Sequence, residues 1–293
     1  MSTRQVHSPT VRLRRLATEL RRARHAAGYA QIADAASALG WSGPKLSRLE
    51  AAETRYIKSH DLDKVMDLYA ITAQGERDAL HALAREARQR GWWSRYRDVF
   101  EGNALPDFEA EASTIRTYEG LVVPGLLQTA EYTEEVFRGG QAHTDEIVER
   151  HVAARIERQQ ILHRQRPPHL WAVIDEAALR RRTADPRTMS DQIQHLLNLA
   201  TRHNIDLQVL PFNAGMHAGL AGSFVIMEFP GPLDPAIVFN EHASGSLFIE
   251  EPDAVAEHAA VFNRVQAAAL PAPRSLDYLR SIQTDIEGDN HDG

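Results

Sequence analysis

The chain has 293 residues, 43 % of them hydrophobic and 25 % charged, with a formal net charge of -7 and no cysteine. The length allows one large domain or two, and the apolar content is ordinary for a globular protein. Without cysteine there are no disulfides, thiolate metal sites or cysteine nucleophiles. The arginine-rich start lacks the apolar run of a signal peptide, and no segment approaches the roughly 20 apolar residues that span a bilayer. These features predict a cytoplasmic protein with no membrane partner.

The charge is unevenly divided. Residues 1–97 carry 18 Lys+Arg against 10 Asp+Glu, a net of +8, while residues 98–293 carry 15 against 30, a net of -15. A basic first part suits a polyanion, because phosphate contacts supply most of the affinity for nucleic acid. An acidic second part is repelled by DNA and needs another task.

In chain order, Leu13, Leu16, Ala17, Leu20, Ala23 and Ala27 make one helix face, with Arg14, Arg15, Arg21, Arg22 and Arg24 placed on the surface. Gly28 ends this helix. Ala30 to Leu39 reads as a second helix ended by Gly40. Ser42 is placed to cap a third, with Gly43 and Pro44 in its first turn, where a missing proline N–H costs nothing. There Leu46 and Leu49 face inward, and Lys45, Ser47 and Arg48 face out. A loop with Arg55 and Lys58 follows. Ser59 and Thr72 are expected to cap a fourth and a fifth helix. A short helix, a glycine turn and a capped helix with a basic outer face is how a helix-turn-helix enters the major groove.

Gly91-Trp92-Trp93 marks the exit from this unit and reads as a packing anchor between the two parts. Ala110 to Tyr118 is expected to be helical, as are the stretch through Tyr132 and Phe137 and a long helix from Asp145 to His163. Strands are expected at Leu170–Ile174, Ile205–Leu210, Ser223–Phe229, Ala236–Asn240 and Ser246–Glu250, the last three as an antiparallel meander. A helix from Ile193 to Arg202 separates the first two strands. Helices over Ala254–Ala269 and Leu276–Ile286 close the chain. The fold class expected is mainly α with an α+β C-terminal domain: a five-helix head, then a helix-rich domain with a small mixed or antiparallel sheet. The boundaries read as a disordered 1–11, a DNA-binding domain at 12–90, a connector at 91–108, an α+β domain at 109–286 and a disordered tail at 287–293.

Residues 16–70 resemble the XRE-type helix-turn-helix of the phage-repressor superfamily. The likeness runs on through Gly91-Trp92-Trp93, Ile115-Arg116-Thr117-Tyr118-Glu119, Val123-Pro124-Gly125-Leu126-Leu127-Gln128-Thr129, Tyr132, Ile174 to Arg180, Val209-Leu210-Pro211-Phe212 and Gly245-Ser246-Leu247. That ordered series is similar to the actinobacterial WhiJ-like regulators, which fuse such a head to a C-terminal domain of unknown function. The resemblance implies base contacts from Gly43, Pro44, Ser47 and Arg48, with Ser42 and Lys45 beside them. It implies phosphate contacts from Gln31, Arg55 and Lys58. It also implies a two-fold dimeric transcription regulator on double-stranded DNA, read here as a repressor, and no cofactor is expected. Genes for small companion proteins often lie beside those of this group, so an antitoxin-like sequestration of a companion is the alternative.

Two departures matter. Gly43 and Pro44 stand where polar side chains are usual, so direct readout falls to Lys45, Ser47 and Arg48. The interval from Gln31 to Gly40 is one residue longer than usual, so either the turn after Gly28 is longer or the second helix is shifted. In the acidic part, Arg116, Tyr118, Glu119 and Gln128 either line a ligand or partner pocket or form a buried polar network. Asp175-Glu176 and Glu241-His242 end strands, but nothing in the sequence fixes their mutual distance, and no catalytic residue is assigned. The 14 histidines show no metal-ligand spacing, so no metal is expected. Gly215-Met216-His217-Ala218-Gly219 lacks the lysine of a phosphate loop, and Arg180-Arg181-Arg182 reads as a solvated helix end.

Overall fold

A computed structural model describes residues 11–54, 56–87, 92–100, 104–140, 144–230, 234–242 and 245–289. The chain divides into two compact units, up to Phe108 and from Glu109 onward. The first holds α1 (Val11–Ala26), α2 (Ile32–Ala38), α3 (Gly43–Glu50), α4 (Ser59–Leu68) and α5 (Gln74–Glu86). After α5 come a 3-10 turn at Trp92–Tyr96, a single turn α6 (Arg97–Phe100) and α7 (Leu105–Glu111).

The leucine spacing explains the packing of the first unit. Leu13, Leu16 and Leu20 of α1 meet Leu46 and Leu49 of α3, Leu62, Val65 and Met66 of α4, and Leu80 of α5 in one buried cluster. Each such side chain contributes about 1.5–3 kcal/mol through burial.

The helices α1 to α4 all end in the same way. The N–H three residues past the last helical residue reaches back to the carbonyl five residues earlier, as in Tyr29 to Arg24 (3.1 Å), Trp41 to Ala36 (2.8 Å), Glu53 to Arg48 (2.9 Å) and Ile71 to Met66 (2.9 Å). The residue that turns the chain has positive φ: Gly28, Gly40, Ala52 and Ala70. Glycine takes this conformation freely, whereas the two alanines carry a steric cost.

Several helix starts differ from expectation. The second helix begins at Ile32, not Ala30, with Gln31 at its N-cap, so the extra residue lengthens the turn after Gly28. Lys58 and Ala73 hold the N-cap positions expected of Ser59 and Thr72. Ser42 does occupy the N-cap of α3 in extended conformation, but its hydroxyl makes no capping bond. Residues 1–10, Arg55 and Gly91 lie outside the described residues.

The second unit contains a six-stranded mixed sheet: β1 (Thr114–Glu119), β2 (His169–Asp175), β3 (Ile205–Leu210), β4 (Phe224–Glu228), β5 (Ile237–His242) and β6 (Gly245–Ile249). The order across it is β3-β2-β1-β4-β5-β6. The strands β1, β2 and β3 are parallel, and β4, β5 and β6 form the antiparallel meander. Crossovers carry α8 (Ala130–Gly140) and α9 (Asp145–Gln159), then α10 (Glu176–Leu179) and α11 (Pro186–Leu199). The closing helices are α12 (Pro252–Ala268) and α13 (Ala272–Asp289).

The sheet corrects one expectation outright. Ala110 to Tyr118 is not helical: α7 stops at Glu111, and Thr114 to Glu119 is the strand at the centre of the sheet. The β-branched residues Thr114, Ile115 and Thr117 beside Tyr118 favour the pleated surface, and β1 pairs on both edges, with β2 and β4. Two smaller differences concern ends. The long helix passes into a 3-10 turn at Gln160–His163. The helix expected from Ile193 starts at Pro186, capped by Asp185, whose carboxylate accepts from the Arg187 N–H (2.9 Å). The last helix runs on through Asp289, past the expected boundary at 287, and residues 290–293 lie outside the described residues.

Candidate nucleic-acid interface

The turn between α2 and α3 begins the interface. Gly40 reverses the chain, Trp41 follows, and Ser42 opens α3 with Pro44 in its first turn. Leu46, Leu49 and Glu50 point inward, whereas Ser42, Pro44, Lys45, Ser47 and Arg48 are exposed and Gly43 is half-buried. Gln31 and Lys58 are exposed at the N-cap positions of α2 and α4. Arg48 folds back along its helix, its Nε donating to the Pro44 carbonyl (3.2 Å).

Lys45 is held more firmly. Its Nζ lies 3.1 Å from Asp61 Oδ2 and 3.6 Å from the centroid of the Trp41 ring. Burial pushes the Asp61 carboxyl up, but the Lys45 hydrogen bond and charge, with His60 and Lys64, outweigh this and leave it below the usual carboxylate range.

Behind this face lies a buried ion pair. Arg24 (3 % exposed) donates from Nε to both oxygens of Glu50 (1 % exposed), each at 3.0 Å. Its Nη1 donates to the carbonyls of Tyr29 (2.6 Å) and Ala30 (3.0 Å), and the Tyr69 hydroxyl donates to Glu50 (3.1 Å). Burial and the Glu50 charge raise the Tyr69 hydroxyl far above its usual range, so it stays a donor. Arg21 adds a hydrogen bond to the Glu50 carbonyl. This network ties α3 to α1, α4 and the turn before α2, and so sets the angle at which α3 is presented. Arg24 is therefore not a surface residue. The signal was present in the spacing: Arg24 stands four residues after Leu20, and Glu50 four after Leu46, both on inward faces.

The four candidates in the second unit do not line one pocket: Arg116 and Tyr118 share one face of the sheet, while Gln128 and Glu119 both interact with Arg155 in a buried polar network. Strand alternation puts Arg116 and Tyr118 on one face of the sheet and Glu119 on the other. Arg116 pairs with Glu228 and lies 5.6 Å from the Phe262 ring centroid of α12. The Tyr118 hydroxyl donates to Asp175 (3.4 Å). Gln128 is buried and used internally: it donates to the Val123 carbonyl (2.7 Å) and accepts from Thr133 (3.1 Å) and from Arg155 (2.8 Å). Burial raises Glu119 to about 7, with Ser223 opposing by hydrogen bond, Glu241 adding like charge, and Arg158 and Arg155 opposing. Burial and the Arg158 charge bring Arg155 down to about 10. Arg158 itself makes a two-pronged pair with Glu109, 2.6 Å on each arm.

The acidic strand ends do not converge either. Asp175 caps α10 by accepting from the Ala177 N–H (2.9 Å). Glu176 binds Arg180 (2.6 Å) and the Phe212 N–H (2.8 Å). Glu241 and His242 lie on β5, separated from β2 by two intervening strands, roughly 14 Å. Trp92 packs edge-on against Trp93, Tyr96 and Phe100 within the first unit. Among the described residues no group of three or more His, Asp or Glu side chains is arranged to hold a metal ion, and no helix is long and apolar enough to cross a membrane.

A helical head that presents an exposed basic helix after a glycine turn belongs to the helix-turn-helix class of DNA-binding units. Residues 15–80 match the model of a helix-turn-helix domain, which supports a DNA-binding regulator. Residues 103–281 match the model described as domain of unknown function (DUF5753), and the chain belongs to that family. No curated protein and no solved structure matches it.

Proposed function

We propose that the protein is a sequence-specific, cytoplasmic transcriptional regulator of the XRE type, most simply a repressor, resembling the WhiJ-like group. It binds double-stranded DNA as a homodimer, with half-sites about 34 Å apart. The observation that carries this reading is the division of α3, which buries Leu46, Leu49 and Glu50 and leaves Ser42, Pro44, Lys45, Ser47 and Arg48 exposed. Arg48 is the best placed to fork onto guanine O6 and N7. Gln31, Arg55 and Lys58 serve phosphates, and the acidic unit receives the signal, from a ligand or a small protein.

Selection of bound duplexes from a random pool, with the full chain and its Arg48→Ala variant, tests the reading. The wild type should enrich a two-fold motif. The variant should lose preference at the base it reads while keeping salt-sensitive general affinity. Failure of the wild type to enrich any motif at moderate ionic strength refutes the assignment.

A further inference from the structure

On the face of the sheet away from Tyr118, three polar residues fall in line. Tyr118 stands opposite Phe224, and Val225 opposite Phe239. Carried one residue along β1, this register sets Glu119, Ser223 and Glu241 in a row across three neighbouring chain segments, a small side chain between two long acids. From α9, Arg155 and Arg158 bear on the same row, and their charges act on Glu119. They stand three residues apart and so share one side of the helix.

Both guanidiniums converge on Gly125, where a Cβ would sit 3.1 Å from Arg155 Nη1 and 3.4 Å from Arg158 Nη1. Gln159 fastens this turn to α9 by donating to the carbonyls of Gly125 (3.0 Å) and Gln128 (2.8 Å). Of the two arginines, Arg158 has a carboxylate partner, Glu109. Arg155 gives Nη1 to Gln128 and lies 5.1 Å from the Phe137 ring centroid, while its Nε and Nη2 have no hydrogen-bond partner among the described residues.

Arg155, Glu119 and Glu241 thus feel one another's charge without touching. Among the described residues no ion pair joins any of the three to an opposite charge. Burial prevails at Glu119, whose carboxyl titrates at about 7 although two arginines face it. Arg155 and Glu119 are half-buried and Glu241 is exposed, so the row opens to solvent at Glu241. A half-buried guanidinium without a carboxylate is costly, and its open fork suits a carboxylate from outside.

The signs select the ligand. A plain anion meets Glu119 and Glu241 beside Arg155, and a plain cation meets both arginines. A molecule carrying both charges satisfies both sides without burying a net charge. We propose that Arg155, Glu119 and Glu241 bind a small zwitterion, a free α-amino acid, with its carboxylate on the Arg155 fork and its ammonium toward the two glutamates. The inference rests on the reading of the second unit as the receiver of a signal, and gives that signal a site and a chemical class.

Isothermal titration calorimetry of the full chain at pH 7, with the standard amino acids one at a time, tests it. Propionate and propylammonium serve as probes that carry a single charge. At least one amino acid should bind, and both single-charge probes should bind at least ~10-fold more weakly, since each forfeits a charged contact. Arg155→Gln and Glu241→Gln should each weaken the amino acid by a similar factor. Glu241 is exposed, so its variant keeps the fold and decides the matter if Arg155→Gln loses its circular dichroism. Binding of no amino acid overturns the proposal. Propionate binding as tightly as the amino acid also overturns it and makes the site a simple anion receptor. Unchanged affinity in either folded variant overturns it as well. An amino acid that binds here yet leaves affinity for the selected duplex unaltered upholds the site and overturns the reading of the unit as a signal receiver.

Discussion

The two units treat charge in opposite ways. The head buries one opposed pair, Arg24 with Glu50, and leaves Lys45, Arg48 and Lys58 at its surface. The second unit draws Arg155, Arg158 and Glu119 inward and presents Leu121, Phe212, Met216 and Leu220 at one end. A surface of exposed cations addresses a polyanion, which charges drawn inward do not. The difference accords with a DNA-binding head, as the helix-turn-helix match over residues 15–80 supports, and perturbing either unit should move only its own readout.

The largest effect is expected in the head. Glu50→Ala leaves the Arg24 guanidinium buried without its carboxylate and should cost about 3–5 kcal/mol. The head transition in thermal denaturation should fall steeply, while the second unit's transition stays in place. Tyr69→Phe removes only one hydrogen bond to Glu50 and should cost about 1 kcal/mol. Comparable losses from the two variants would show that the pair does not set the stability of the head.

The next effect separates reading from holding. Arg48→Ala should lose about 1–3 kcal/mol of discrimination between operator and random duplex. Lys58→Ala should weaken both duplexes alike and reduce the salt slope by about one. Equal behaviour of the two variants in competition binding would erase the distinction drawn between them.

In the second unit the expected effect depends on pH. The folded Glu119 carboxyl titrates at about 7, above its ordinary value of 4.5, so the native state holds a proton there that the unfolded state has released. Stability from this group is full below about pH 4.5 and is lost as pH rises through 7. Glu119→Gln should therefore stabilise the second unit at pH 8 by on the order of 1–2 kcal/mol and do little at pH 4.5, as urea denaturation at the two values would reveal. An equal gain at both pH values would rule out titration as the cause.

The smallest effect concerns the helix ends. Ala70 is exposed and turns the chain after α4 at φ 56°. Ala70→Gly should stabilise the head by about 0.5–1 kcal/mol, and Gly40→Ala should destabilise it by a similar amount. A melting shift of the opposite sign in either variant would count against the shared helix-end geometry.

Much of the head was legible because its leucines recur at helical spacing and its glycines punctuate them. Its buried charges were not, because an arginine reads as a surface residue by type; Arg24 nevertheless follows the inward stripe, as does its partner Glu50. In the second unit the strands with long apolar runs were legible and β1 was not. It is only six residues long, it follows the helix-forming Ala110 and Glu111, and it contains Arg116 and Glu119. Glu228, the partner that satisfies Arg116, lies 112 residues away in the chain, so no local window reveals why a charged residue is tolerated there. Of the two readings open for Arg116, Tyr118, Glu119 and Gln128, a pocket or a buried polar network, a single pocket fails for a related reason: neighbours along a strand face opposite sides of the sheet.

The contact between Lys45 and Asp61 has a consequence for how tightly the head could hold any duplex. Asp61 already neutralises the Lys45 ammonium, so a duplex that engages Lys45 must first take it from a carboxylate, and frees fewer small ions than it would from a solvated lysine. Counting the cations on the head would then overstate the ions released, and the measured salt slope should fall short of that count.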